Sequence, residues 1–320
     1  MSYRPVSWAR RICTVLCPCD VAAKPIVDIG MSIHQKSSHN ESAYALSGNS
    51  EGKVQQPPEA MVIKNVNWIG LQTLYLKEVR RFMKVQLQTI WAPAITTLLY
   101  LAIFSLSLGR GGRTELGVPF ADFLAPGLIV MGMIQNAFAN SSFSLLVGKV
   151  QGTIVDYLMP PLSNMELLFA MVAASITRAF MVGGAVWLVM LFWPGVHVIP
   201  AVPVVAFLFG FLGSMFVALI GLLTSIWAEK FDHAAAISNF VIAPLSLLSG
   251  TFYSVDRLAP AFQSISHANP FFYIISGFRY GFLGQTDSNI YLGAGILIAA
   301  NILIAAIVYR VLQSGWKLRA

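Results

Sequence analysis

The sequence predicts an all-α membrane protein. Six transmembrane helices follow an N-terminal amphipathic interfacial helix, and extracytoplasmic re-entrant helices lie between spans five and six. Three observations predict this. Of 320 residues, 56% are hydrophobic and only 11% are charged, against about 25% charged in soluble domains. Apolar runs close to the ~20 residues that cross a bilayer recur from residue 90 onward. Lys and Arg are shared unevenly between the two ends of those runs, as membrane orientation requires. The net charge of +7 therefore reads as orientation in a membrane, not as a nucleic-acid surface.

Residues 1–60 are rich in Ser, Asn, Gln and Pro without sustained periodicity, the composition of a disordered cytoplasmic leader. All three cysteines, Cys13, Cys17 and Cys19, lie there, so the membrane part carries no disulfide framework. Their spacing is not that of a zinc site. Met31 and Met61 offer later starts, of which Met61 is favoured, and residues 61–320 form the transmembrane domain. Over residues 65–88, Trp68, Leu71, Tyr75, Val79 and Phe82 recur at helical spacing. Lys77, Arg80, Arg81 and Lys84 fall largely off that stripe, which predicts a basic amphipathic helix at the inner membrane surface.

Span one is expected over Ile90–Leu108, with Pro93 in its first turn, where it costs little. Spans two and three lie between Asp122 and Trp193, joined by the polar loop Gly148–Asn164. That loop ends at Pro160-Pro161, which stops a helix. A short amphipathic surface helix is expected within it, a shape suited to an outside partner that pushes. Span four covers Val204–Trp227, then comes the charged loop AEKFDHAAA, then span five over Ile237–Phe252. Residues 253–289 are too broken to span, and two short helices interrupted at Pro260 and Asn269-Pro270 fit them. Span six covers Ile290–Leu312. Six spans place both termini on one side. Lys77, Arg80, Arg81, Lys84, Lys149, Lys230, Arg310, Lys317 and Arg319 share that side, and Arg110, Arg113, Arg257 and Arg279 the other. The termini and the Gly148–Asn164 loop are thus expected in the cytoplasm.

No phosphate-binding G-x-x-x-x-G-K-[ST] stretch exists, nor an H-E-x-x-H pair, and the histidines are scattered. The chain reads as a non-enzyme with no cofactor of its own. Arg178 is the one charge deep in a span, either a substrate or gating contact or a structural anchor. Gln135, Asn136 and Asn140 share a region of span two and serve as interhelical glue or as a polar pathway lining. The span centres hold no Asp or Glu, which argues against the rival reading of an ion-gradient-driven secondary transporter or channel.

Four stretches then resemble a known family. They are Leu-x-x-x-Glu-Val-Arg-Arg-Phe-x-Lys-Val from Leu74 to Val85, Phe123-Leu-Ala-Pro-Gly-Leu128, Asn136-Ala-Phe-x-Asn-Ser-Ser-Phe143, and Lys149-x-x-Gly-x-Ile-x-Asp-x-Leu158. Pro161-Leu162-Ser163 and Glu166 follow in place. Together they are similar to ABC-2 type permeases, in the branch with nodulation-factor and multidrug exporters. The resemblance implies that Lys149, Gln151, Gly152, Ile154, Asp156, Tyr157 and Leu158 form a coupling loop docked on a separate P-loop ATPase. It implies that ATP and Mg reside on that subunit and that two permease copies assemble in the bacterial inner membrane. An amphipathic drug, lipid or glycoconjugate is the expected cargo.

Overall fold

The computed structural model describes residues 66–317, apart from 109–113, 116, 194, 256–258 and 286–287. The expected leader with its cysteines, Met61, Arg110, Arg113, Arg257 and Arg319 lie outside the described residues. Among the described residues, six helical segments are long and apolar enough to cross a membrane.

Helix α1 (Trp68–Met83) starts at Asn67, whose side chain accepts from the Gly70 amide at 2.9 Å. It packs on α5 (Asn164–Leu191). Its buried line is Leu74, Glu78 and Phe82, rotated from the expected stripe, and Trp68 is 69% exposed. A π turn, Leu87–Trp91, leads into α2 (Ala92–Leu108), so the first span begins three residues before its expected start. A second π turn, Ser238–Ile242, joins α7 (Phe231–Ile237) to α8 (Ala243–Leu248). Each π turn lies just before a proline, Pro93 or Pro244. Proline removes a donor and clashes with the carbonyl four residues back, and widening the ladder by one residue relieves both. The fifth span thus runs Phe231–Leu248, not Ile237–Phe252. Asp232 and His233 hid its start from the hydropathy pattern. An acid in a helix's first turn is favourable.

A two-stranded hairpin, β1 (Thr114–Glu115) with β2 (Val118–Pro119), precedes α3. No alternation of apolar and polar residues marks so short a pair of strands. Helix α3 (Phe120–Val150) is the centre of the bundle: 83% of its most apolar window is buried, against 17% for Phe231–Leu248 and for the last span. It packs most extensively on α6 (Pro203–Trp227) and on α5. A Cβ at Gly221 would lie 2.9 Å from the Phe138 carbonyl, so only glycine allows the α3–α6 approach. The last helix, α11 (Ile290–Ser314), is held to α6 by Asn301, which donates to the Leu212 carbonyl at 3.1 Å.

The expected pair of short helices is present as α9 (Pro260–Ala268) and α10 (Pro270–Leu283), parted at Asn269. Fourteen residues reach only about 21 Å, short of a crossing. Buried Arg279 of α10 donates to the Gly250 carbonyl at 2.7 Å and stacks 3.9 Å over the Phe123 ring. At the same end Asp122 accepts from the His197 amide at 2.8 Å. The opposite end gathers α1, the α3–α5 loop and the C-terminus of α6.

Candidate functional site

The α3–α5 loop is built differently from expectation. Nothing in Gly148-Lys149-Val150 interrupts a helix, so α3 continues through it, and both Gly148 and Lys149 belong to the spanning helix. Gly152, at φ +71°, then ends it. The Gly152 amide donates to Lys149 and the Thr153 amide to Gly148, a Schellman closure. The separate helix is a single turn, α4 (Val155–Leu158).

That turn has two faces. Tyr157 points inward and is buried against Gly148, where a Cβ would sit 3.2 Å from its ring. Asp156, Gln151 and Gly152 point outward. Ile154 is half-buried beside them, and apolar Val155, Leu158 and Met159 are exposed, Met159 by 77%.

Tyr157 meets Glu78, the glutamate of the Leu74–Val85 stretch, to which the sequence assigns no role by itself. Its hydroxyl donates to Glu78 Oε1 at 3.3 Å, and Lys77 Nζ lies 3.7 Å over its ring. Burial, then the Glu78 charge, pushes the phenol up to about 12. Glu78 is wholly buried on α1. Its Oε2 accepts from Ser144 at 2.9 Å and pairs with Arg81 at 2.9 Å. Arg81 in turn donates to the Asn140 carbonyl at 3.0 Å and to Asn140 Oδ1 at 3.3 Å. Asn140 Nδ2 donates to Ser175 of α5 at 3.0 Å. An unbroken polar chain therefore runs Tyr157–Glu78–Arg81–Asn140–Ser175, from the loop through α1 into two spanning helices. One signal in the sequence pointed to it: Glu78 stands between Leu74 and Phe82 at four-residue spacing, a carboxylate on an otherwise apolar line.

A capping box fixes the other end of the loop. Ser163 and Glu166 satisfy each other's backbone, and Glu166 Oε1 also accepts from the Asn67 amide at 2.5 Å. The start of α1 is thus bound to the start of α5. Lys149 faces away from the loop. It donates to the carbonyls of Ile226 and, at 3.3 Å, of Ala228, where a cation favours the helix C-terminus. Nearby Lys317 pairs with Glu229 at 2.7 Å. That hydrogen bond and charge hold the exposed Glu229 carboxyl below its usual range.

The four intramembrane polar residues are divided. Asn140 belongs to the chain above. Asn136 donates to the Gly132 carbonyl at 3.0 Å and accepts from Arg178 Nη2 at 3.0 Å. Gln135 and Asn136 line a groove of about 610 Å³ between α2, α3 and α8. Gln88, Thr96 and Thr97 line one part of it, Tyr100, Phe104 and Phe252 another. Among the described residues no group of His, Cys, Asp and Glu is arranged to hold a metal.

The profile described as ABC-2 type transporter matches residues 70–283. Inner membrane transport permease YadH of Escherichia coli strain K12 is 35% identical over 253 residues, 79% of this chain and 98% of its own length. Nodulation protein J of Rhizobium leguminosarum bv. viciae is 27% identical over 240 residues, 72% of this chain and 88% of that protein.

Proposed function

The chain belongs to the ABC-2 type transporter family, and on that premise we propose that it is the permease of an exporter whose P-loop ATPase is a separate subunit. It is a multi-pass inner-membrane protein, the membrane component of an ABC transporter. The ATPase, which holds ATP and Mg, docks on the outward face of the α3–α5 loop, in the cytoplasm beside both termini. The two-faced turn at Val155–Leu158 carries this reading. Exposed Val155, Leu158 and Met159 around Asp156 offer a partner an apolar patch with one charge, on a turn whose inner face is already committed.

ATP binding moves the docked subunit and with it α4. Tyr157 is tied to Glu78, and Glu78 through Arg81 to α3 and α5, so displacement of the turn shifts α1 and both spans together. A second copy of the chain covers the groove at Gln135. The side-chain amides of Gln88 and Gln135 would otherwise face hydrocarbon, which costs free energy for each unpaired group. The pathway for an amphipathic cargo runs between the two copies. Helices α9 and α10 close it on the far side as re-entrant elements.

Leu158→Asp and Asp156→Lys are the direct test. Each is expected to abolish transport and substrate-stimulated ATP hydrolysis while the melting temperature stays within about 2 °C, as for surface changes. Normal transport by both variants would show that this loop is not the docking site.

A further inference from the structure

A second cavity, of about 570 Å³, lies between α1, α5 and α6 and shares no residue with the groove at Gln135. On α5 its wall runs from Leu168 to Thr177, about 14 Å along the axis at 1.5 Å per residue. That is close to half of a hydrocarbon core about 30 Å thick, the depth of one leaflet. Helix α5 begins at Asn164, so the cavity lies in the leaflet on the side of the α3–α5 loop. It opens sideways between two spanning helices, where Phe169 is 60% and Phe211 38% exposed. The exposed apolar surface continues from there along α6 through Phe207 and Leu208. On a multi-pass membrane protein such a surface meets lipid. At the other end of the cavity stand Trp68 and Gln72 of α1, both exposed.

The deep wall offers nothing to a polar ligand. Thr177 donates to the Ala173 carbonyl at 2.9 Å, so Tyr75 is the donor in the 2.9 Å bond between the Tyr75 and Thr177 hydroxyls. Around that satisfied pair stand Val172, Ile176, Phe211 and Met215. A buried water needs about two to four polar partners, which this wall lacks. An empty space would forfeit the dispersion contacts of every atom that lines it. Hydrocarbon is the medium at the opening and the filling that the wall accepts. We propose that the cavity holds one acyl chain of a membrane phospholipid, with the lipid's headgroup end at Trp68 and Gln72. The indole N–H and the side-chain amide can donate to ester or phosphate oxygens. A tryptophan at the mouth also suits the membrane surface, where such rings gather. The bound chain joins the N-terminal half of α1 to α6 across the cavity. Neither the docking turn nor the groove at Gln135 takes part.

The test is photo-crosslinking of the full chain in vesicles of phosphatidylethanolamine and phosphatidylglycerol. The probe is a phosphatidylcholine with a diazirine midway along one acyl chain. Ordinary lipid contact is read at Ile302 and Leu303, exposed on α11. Labelling of Ala173, Ile176 and Met215 is expected to exceed that level about fivefold. Ala173→Trp, which fills the cavity, should remove the excess, and Ile302→Trp should leave it unchanged. The proposal is overturned by labelling of the cavity residues no greater than that of α11, as when protein covers the opening. It is also overturned by an excess that survives Ala173→Trp or disappears with Ile302→Trp. If Ala173→Trp does not fold, the wild-type ratio decides, together with Ala173→Leu, which should lower it. No ATPase is present, so the docking reading can fail while this result stands, and the reverse.

Discussion

Arg81→Ala should destabilise the protein more than Glu78→Gln, although both break one ion pair. The side chain of Glu78 is 1% exposed and that of Arg81 28%. Without Arg81, a wholly buried carboxylate is left with the hydroxyls of Ser144 and Tyr157. Stripping one partner from a buried pair costs about 3–5 kcal/mol. Without the Glu78 charge, Arg81 keeps the carbonyls of Asn140 and Phe143 and part of its hydration, so a loss of about 1–2 kcal/mol is expected. At about 2–4 °C per kcal/mol, Arg81→Ala lowers the melting temperature by about 10 °C and Glu78→Gln by about 4 °C. The double variant removes the lone buried charge, so it should be more stable than Arg81→Ala alone. The coupling between the two changes is expected near 2 kcal/mol. Thermal unfolding followed by tryptophan fluorescence in detergent reads all three. Losses that simply add, within about 0.5 kcal/mol, or a milder Arg81→Ala, would show that the Glu78 charge does not depend on Arg81.

Tyr157→Phe tests the next link. The folded-state phenol pKa of about 12 lies above its ordinary 10.0, so the fold holds the neutral form. Its contribution is full below pH 10 and is lost between pH 10 and 12, and the stability advantage of wild type over Tyr157→Phe should shrink across that window in melts at stepped pH. Gly281→Ala should lower the melting temperature, because its Cβ would lie 2.6 Å from Ala206 Cα, backbone that has no rotamer to give. Gly184→Ala meets nothing within 4 Å and should raise it slightly, by about 0.8–1 kcal/mol of helix propensity. Lys149→Met should loosen the α3–α6 end without touching the outward loop face, read as faster amide exchange at residues 224–228 with the ATPase still bound.

Most of the helical plan was legible because apolar runs and proline breaks are local signals. The Asn269-Pro270 break and the six spans followed from them directly. The errors were also local in origin. The fifth span starts at Phe231 behind Asp232, a charge that suits a helix N-terminus and misleads a hydropathy count. Lys149 and Gly148 looked like loop residues, and they close a helix because Gly152 supplies the left-handed cap three residues later. The site was legible only in part. Asp156 and Tyr157 were recognised together, yet which of them faces outward depends on the phase of one helical turn and on a partner 79 residues away. The Glu78–Arg81 pair is formed within one helix, but its meaning comes from Ser144 and Asn140 on another. Contacts between distant segments of this kind leave no periodic trace.

This chain is proposed to work with a separate ATPase seated on the Val155–Leu158 turn. The most direct measurement is affinity purification of the tagged chain from membranes in mild detergent, with mass spectrometry of what accompanies it. A P-loop ATPase is expected in equal amount, lost from the Leu158→Asp variant and retained by Gly184→Ala. A chain recovered without any ATPase, and still alone after cross-linking in intact membranes, would contradict it.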